Sequence, residues 1–208
     1  MVIIIQCAGS KNSECGFFRK DNKKVIFVAD LDSLPEEGDV IFAHPDQKIS
    51  EEENLTYREA LVEYNENLKD ENRYNLCDAL SLYNSPIYQC LKNLNQNIPV
   101  YILSAGWGLV SGSFLLPYYD ITFSSNSKVE KYKRRKRSDN SFKDFNHLQE
   151  DWINLCLDEY KIYVFIGVNY LNLFYKLIKG AKRCQANNTL KQIGKRRQIL
   201  CQLLQKNG

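Results

Sequence analysis

The sequence predicts an α/β fold. One domain over residues 1–208 is built on a central, mostly parallel sheet with helices on both faces and a small antiparallel excursion. Three observations predict it. The apolar runs VIIIQC (2–7), VYILSA (100–105) and KIYVFIG (161–167) are nearly continuous, as in strands buried on both faces. Stretches of helical spacing lie between them. Each run ends in small or polar residues, QCAGSKN (6–12), SAGWG (104–108) and GVN (167–169), where open α/β sheets bind ligands beyond their carboxyl edge. At 208 residues the chain is long enough to bury a large core.

In chain order, residues 2–7 form the first strand. KVIFVAD (24–30) and DVIFAH (39–44), separated by the turn-rich LDSLPEEG, read as an antiparallel excursion or edge pair. Residues 56–68 make a helix that opens on Thr56 with Glu59 three positions later, a capping box. Helix continues over 73–95 but breaks at YNSP, because Pro86 restricts the residue before it. After the strand at 100–105, the spacing of Phe145, Leu148, Trp152, Leu155 and Tyr160 predicts a helix over 142–160 with that stripe in the core. The strand at 161–167 is followed by helices at 170–179 and 190–205, the last one basic.

Seven cysteines, with no CxxC pair, and two distant histidines do not make a zinc pattern. Met1 runs straight into a strand and no long apolar span follows, so neither a signal peptide nor a membrane helix is expected. The expectation is a reduced, cytoplasmic protein. Charge is segregated. Residues 1–125 hold 10 Lys and Arg against 18 Asp and Glu, whereas 126–208 hold 18 against 7. The basic groups concentrate in a loop over 126–140 and again in the helices over 170–205, at KGAKRC (179–184) and GKRRQ (194–198). Such clustering fits a phosphate backbone; a solvated loop and a basic helix face are the alternative. Lys133, Arg134, Arg135, Lys136 and Arg137, with Lys195, Arg196 and Arg197, are the candidate backbone contacts.

The strand ends supply the candidate site. From the first come Gln6, Cys7, Gly9, Ser10, Lys11 and Asn12: glycine for close approach, the others as donors to a phosphate or a base edge. The spacing is neither a Walker A loop nor GxGxxG. From the second come Ser104, Gly106 and Trp107, whose indole, clamped between glycines, suits either stacking on a base or core packing. LLPYYD adds Tyr118 and Tyr119 as pocket walls and Asp120, the one carboxylate between Asp78 and Glu130. Asp120 fits a general base toward water or a stabiliser of a cationic transition state, and equally a turn cap. His44 and Asp46 form a second acid/base candidate or a capped turn. GVN places Asn169 at the third strand end.

IIIQCAGSK, LYNSPIY (82–88), ILSAGWGLV and LPYYDITF together resemble the YaaA-like proteins, themselves similar to the uracil-DNA glycosylase superfamily and to Brig-type phage-defence DNA glycosylases. The resemblance spans roughly residues 2–123. It implies a base pocket at the carboxyl edge of a parallel sheet, with Asp120 as water activator or oxocarbenium stabiliser; Asn12 and His44 stand beside it as catalytic candidates from the strand ends themselves. It also implies Ser10, Lys11 and Asn12 around a flipped nucleotide, Trp107 with Tyr118 against its base, and Asn169, whose amide donates and accepts, as reader of the base edge. The chain departs from that superfamily in lacking a GQDPY-like water motif and its catalytic-histidine loop.

The function expected is hydrolysis of the N-glycosidic bond of a modified base, such as glucosylated hydroxymethylcytosine, in double-stranded phage DNA. Neither metal nor nucleotide cofactor is called for, and no membrane. Two alternatives stand beside it: a DNA-binding stress protein without chemistry, and a base-exchange or nucleoside-hydrolase enzyme acting on RNA or nucleotides.

Overall fold

The computed structural model of the chain describes residues 1–36, 38–52, 54–67, 70–93, 98–151 and 162–179. Among these the elements run β1 (Val2–Gln6), β2 (Arg19–Lys20), β3 (Lys23–Phe27), β4 (Val40–Ala43), α1 (Tyr57–Asn67) and β5 (Cys77–Asp78). There follow α2 (Ala79–Leu82), α3 (Pro86–Lys92), β6 (Val100–Ser104), β7 (Gly108–Ser111) and β8 (Leu115–Leu116). The described chain closes with β9 (Phe145–Asn146), α4 (His147–Asp151), β10 (Ile162–Phe165) and α5 (Leu171–Lys179). The predicted helix at 190–205, Lys195, Arg196, Arg197, and the Trp152, Leu155 and Tyr160 of the apolar stripe lie outside the described residues.

The protein is mixed α/β around a mostly parallel central sheet of order β10-β1-β6-β7-β9. β1 is parallel to both β10 and β6, β7 runs back against β6, and β9 is parallel to β7. Val2 to Ile5 and all of Val100 to Ser104 are buried, which is why their sequence shows no alternation of apolar and polar positions. The reversal from β6 into β7 falls on Gly108, at φ +88°. A Cβ there would sit 2.6 Å from the backbone N and O of Phe145, so only glycine fits.

The second sheet, β2-β3-β4, differs from expectation. β3 and β4 are parallel, not antiparallel, in register from Lys24–Val40 to Phe27–Ala43. The turn-rich segment between Phe27 and Val40 does not reverse the chain as a hairpin; it carries it back to start a parallel neighbour. The antiparallel hairpin is β2–β3, whose two central residues, Asp21 (φ 51°) and Asn22 (φ 60°), supply the left-handed pair that a two-residue turn requires.

The local helix signals hold at α1 and at Pro86, but the helix expected from 73 does not start there: residues 73–76 turn, and Cys77–Asp78 is strand, paired antiparallel with β8. The Thr56 amide donates to Glu59 Oε2 at 2.8 Å while the Glu59 amide donates to Thr56 Oγ1 at 3.2 Å, completing the capping box of α1. Tyr83 to Ser85 separate α2 from α3, which opens on Pro86. The stretch expected as helix from 142 is strand at Phe145–Asn146 and helical from His147. Two cysteines depart from the reduced state expected: Cys15 and Cys77 form a disulfide across 62 positions, while Cys7 is a free thiol. No helix among the described residues is long and apolar enough to cross a membrane.

Candidate active site at the carboxyl edge of the sheet

The loop after β1 is pinned from below by the YNSP segment. The Asn12 amide donates to the Leu82 carbonyl (2.8 Å), the Asn84 amide to the Ser10 carbonyl (3.1 Å), and Lys11 bridges to Tyr83. Gln6 fastens the neighbouring connections: its carbonyl accepts from the Tyr88 hydroxyl at 2.7 Å, and its side-chain oxygen accepts from the Gly167 amide. Asn12 closes its own turn, its side-chain oxygen accepting from the Glu14 amide at 3.0 Å. Gly9 and Ser10 are exposed on the rim.

Beneath the loop lies a buried polar floor. Ser104 Oγ accepts from the Gly106 and Trp107 amides, both at 3.2 Å, and stands 2.9 Å from the Tyr119 hydroxyl. That hydroxyl is 2.8 Å from the Tyr83 hydroxyl, and Cys7 Sγ is 3.0 Å from the Tyr170 hydroxyl. Burial raises the pKa of Tyr83, Tyr119 and Tyr170, so all three are neutral hydrogen-bonding groups.

Above this floor is the mouth. The Lys11 ammonium lies 4.3 Å from the centre of the Tyr119 ring and 5.7 Å from that of Tyr118. Tyr118, half-buried, packs on Phe17 with ring centres 5.1 Å apart, and Lys24 covers the Phe17 ring at 5.0 Å. Asp120, with 33% of its side chain exposed, pairs with Lys133 Nζ at 2.7 Å. Burial opposes the charge on Lys133, but its hydrogen bond to Asp120 and that carboxylate's charge outweigh it, and its pKa is raised. For Lys11 the balance falls the other way: burial lowers its pKa, against the pull of Cys7 and Asp120. Burial, and then the charge of Asp120, raises that of Tyr118. The arrangement offers two aromatic rings for a flat ligand, cations for an anionic one, and one carboxylate beside them.

Three expected site groups sit elsewhere. Trp107 is fully buried, stacked on Phe145 and edge-on to Phe27 and Tyr119, so its ring faces the core and not the mouth. Gly106 is likewise enclosed, a Cβ there falling 3.1–3.3 Å from Ile121 and Tyr119. Asp46 is held bidentately by the buried Arg58 (2.5 and 3.1 Å) and accepts from the Lys143 amide; its own amide donates to His44 Nδ1 at 3.1 Å. His44 packs against Phe142, and burial lowers its pKa, so it is a neutral imidazole carrying its proton on Nε2. This pair caps a turn. Of the basic loop, Arg135 is also a core group: it is bidentate to Asp144 at 2.7 Å and donates to the Ala105 carbonyl at 2.8 Å. Arg134 is spent on the Val129 carbonyl, whereas Lys136 and Arg137 are exposed, Arg137 donating to the Asn169 side chain.

Sequence reasoning misses Arg58, Asp144, Phe17 and Lys24. Arg58 carries a signal, since it shares the buried side of α1 with Tyr57, Leu61 and Tyr64. The LYNSPIY segment, which has no role on sequence alone, holds the site loop through its tyrosines. Two cavities flank these elements. One of about 250 Å³ between the basic loop and α5 is lined by Arg137, Ser138, Asn140, Asn172 and Lys176. The other, about 560 Å³, lies at the far end of β7 beside Glu66, Glu150 and Asp151, whose charge repels phosphate. Comparison with protein-family models, with curated proteins and with solved structures finds no match to this chain, so its site is read from its own geometry.

Proposed function

We propose that the protein hydrolyses the N-glycosidic bond of a modified base in DNA, in the manner of the uracil-DNA-glycosylase-like and phage-defence glycosylases that its motifs resemble. The observation that carries this is the mouth: the half-buried Phe17–Tyr118 pair flanked by Lys11, Lys24 and Lys133, with Asp120 as its carboxylate. An extruded base stacks on the aromatic pair. Asp120 then faces the sugar, where it steadies the positive charge growing on C1′ or takes a proton from the attacking water. Lys133 keeps that carboxylate aimed, and Lys136, Arg137 and Lys176 suit the flanking phosphates.

The test is incubation with unmodified, hydroxymethylcytosine-containing and glucosylated phage DNA, with mass spectrometry for a freed base. Release from modified DNA is expected, and Asp120→Asn should lower it by about 10²-fold or more with binding retained. No release from any of the three would overturn the reading. The Asp120–Lys133 pair favours a second reading, a DNA-binding protein in which Asp120 only anchors the basic loop. That protein would lose affinity, and no chemistry, on the same substitution.

A further inference from the structure

We propose that Lys11 is a nucleophilic amine that captures the aldehyde of an abasic site as an imine, giving the protein an abasic-site lyase activity. The inference rests on the reading of the mouth as a DNA-sugar site. Lys11 is placed for it by three features. Its backbone is clamped by Tyr83 and by the neighbouring Asn12–Leu82 and Asn84–Ser10 bonds, so the side chain springs from a fixed base. Its amine lies over the Tyr119 ring and makes no hydrogen bond or ion pair with any described residue. The other cation of the inner mouth, Lys133, is occupied by Asp120 and Glu130 at 2.7 and 3.3 Å. A half-buried lysine without a carboxylate partner is the arrangement that frees a lone pair: burial lowers its pKa and enlarges the unprotonated fraction at neutral pH. Cys7, the other nucleophile of the site, is buried and tied to Tyr170.

The chemistry balances without an oxidant or reductant. The Lys11 nitrogen lone pair attacks C1′ of the ring-opened sugar and the aldehyde oxygen takes up a proton. The carbinolamine then loses one water to give the protonated imine. This acidifies the C2′ proton, which passes to water, and the C3′–O bond breaks with its electron pair leaving on the phosphate. Hydrolysis of the imine consumes one water and returns the free amine.

A synthetic duplex carrying one aldehydic abasic site is incubated with the protein and borohydride, which reduces the imine to a stable amine. Expected are a covalent protein–DNA species, an adduct mapped by peptide mass spectrometry to Lys11, and strand cleavage without alkali when borohydride is omitted. Lys11→Arg, which keeps the charge but cannot form the imine, should lose nearly all of the trapped species while unfolding at the wild-type temperature. Trapping undiminished in that variant, an adduct on another lysine in the wild type, or no adduct at all would each overturn the proposal. Because the abasic site is preformed, the outcome does not depend on base release. Base release without trapping would leave the glycosylase reading standing and remove this one; trapping without release would do the reverse.

Discussion

Arg58 and Arg135 between them take the carbonyls of three successive residues: Arg135 that of Ala105, Arg58 those of Gly106 and Trp107. Strand pairing serves the Trp107 carbonyl, which accepts from the Phe145 amide at 2.9 Å, whereas the Ala105 and Gly106 carbonyls are met by the guanidiniums, and an unsatisfied buried carbonyl is costly. Each guanidinium is itself neutralised by a buried carboxylate, Asp46 or Asp144. Arg135→Met would strand Asp144, whose side chain is 1% exposed, leaving it Lys176 at 3.3 Å as its remaining cation among the described residues. Breaking one side of such a pair costs about 3–5 kcal/mol, read as a fall in the denaturant midpoint. Replacing Asp144 with Leu in the same chain should recover part of that loss. A single variant as stable as wild type would mean that the turn is held by its backbone alone.

The basic loop divides into an inward and an outward half. Lys133, Arg134 and Arg135 point to Asp120, to Val129 and to Asp144, while Lys136 and Arg137 face solvent. On the proposed DNA reading, neutralising the last two should weaken binding and lower the slope of log K against log salt by roughly 0.9 for each phosphate that is no longer neutralised. A slope equal to wild type would remove the loop from the interface. Sequence could show that the cluster exists but not which residues turn inward, because Arg135 is buried by Phe142, Asp144 and Phe123, distant partners or residues with no periodic pattern. The same contrast runs through the fold. The buried strands, the Thr56 capping box and the break at Pro86 are set within a few neighbouring residues and were legible. The parallel pairing of β3 with β4, the burial of Trp107 and the union of Cys15 with Cys77 depend on segments far apart, and were not. In the site, Lys11, Tyr118 and Asp120 were visible as strand-end residues; Phe17 and Lys24 join them only because the Tyr118 amide donates to Gly16 and the Asp120 amide to Phe27.

At the scale of the whole molecule, acid sensitivity should follow from the two partly buried histidines. His147 accepts the Ser111 amide on Nδ1 and packs against Phe114 and Phe145; burial takes its pKa from 6.5 to about 4, against a weaker opposing pull from Asp151. His44 is lowered for the same reason. The unfolded chain therefore binds protons that the folded one refuses, and stability falls as pH drops from 6.5 toward 4. A His147→Gln variant should show a shallower loss across that window in denaturant titrations; an identical pH profile would exclude His147 as a contributor. The disulfide carries a consequence of another kind. The chain it closes, from Cys15 to Cys77, contains β2, β3, β4 and α1, that is, the whole second sheet and the helix that carries Arg58. A protease that severs any one exposed loop in that span, such as the rim around Asp21, produces two pieces that stay joined and migrate as one polypeptide until a thiol reagent parts them. Preparations judged whole on a non-reducing gel can therefore hide nicked molecules.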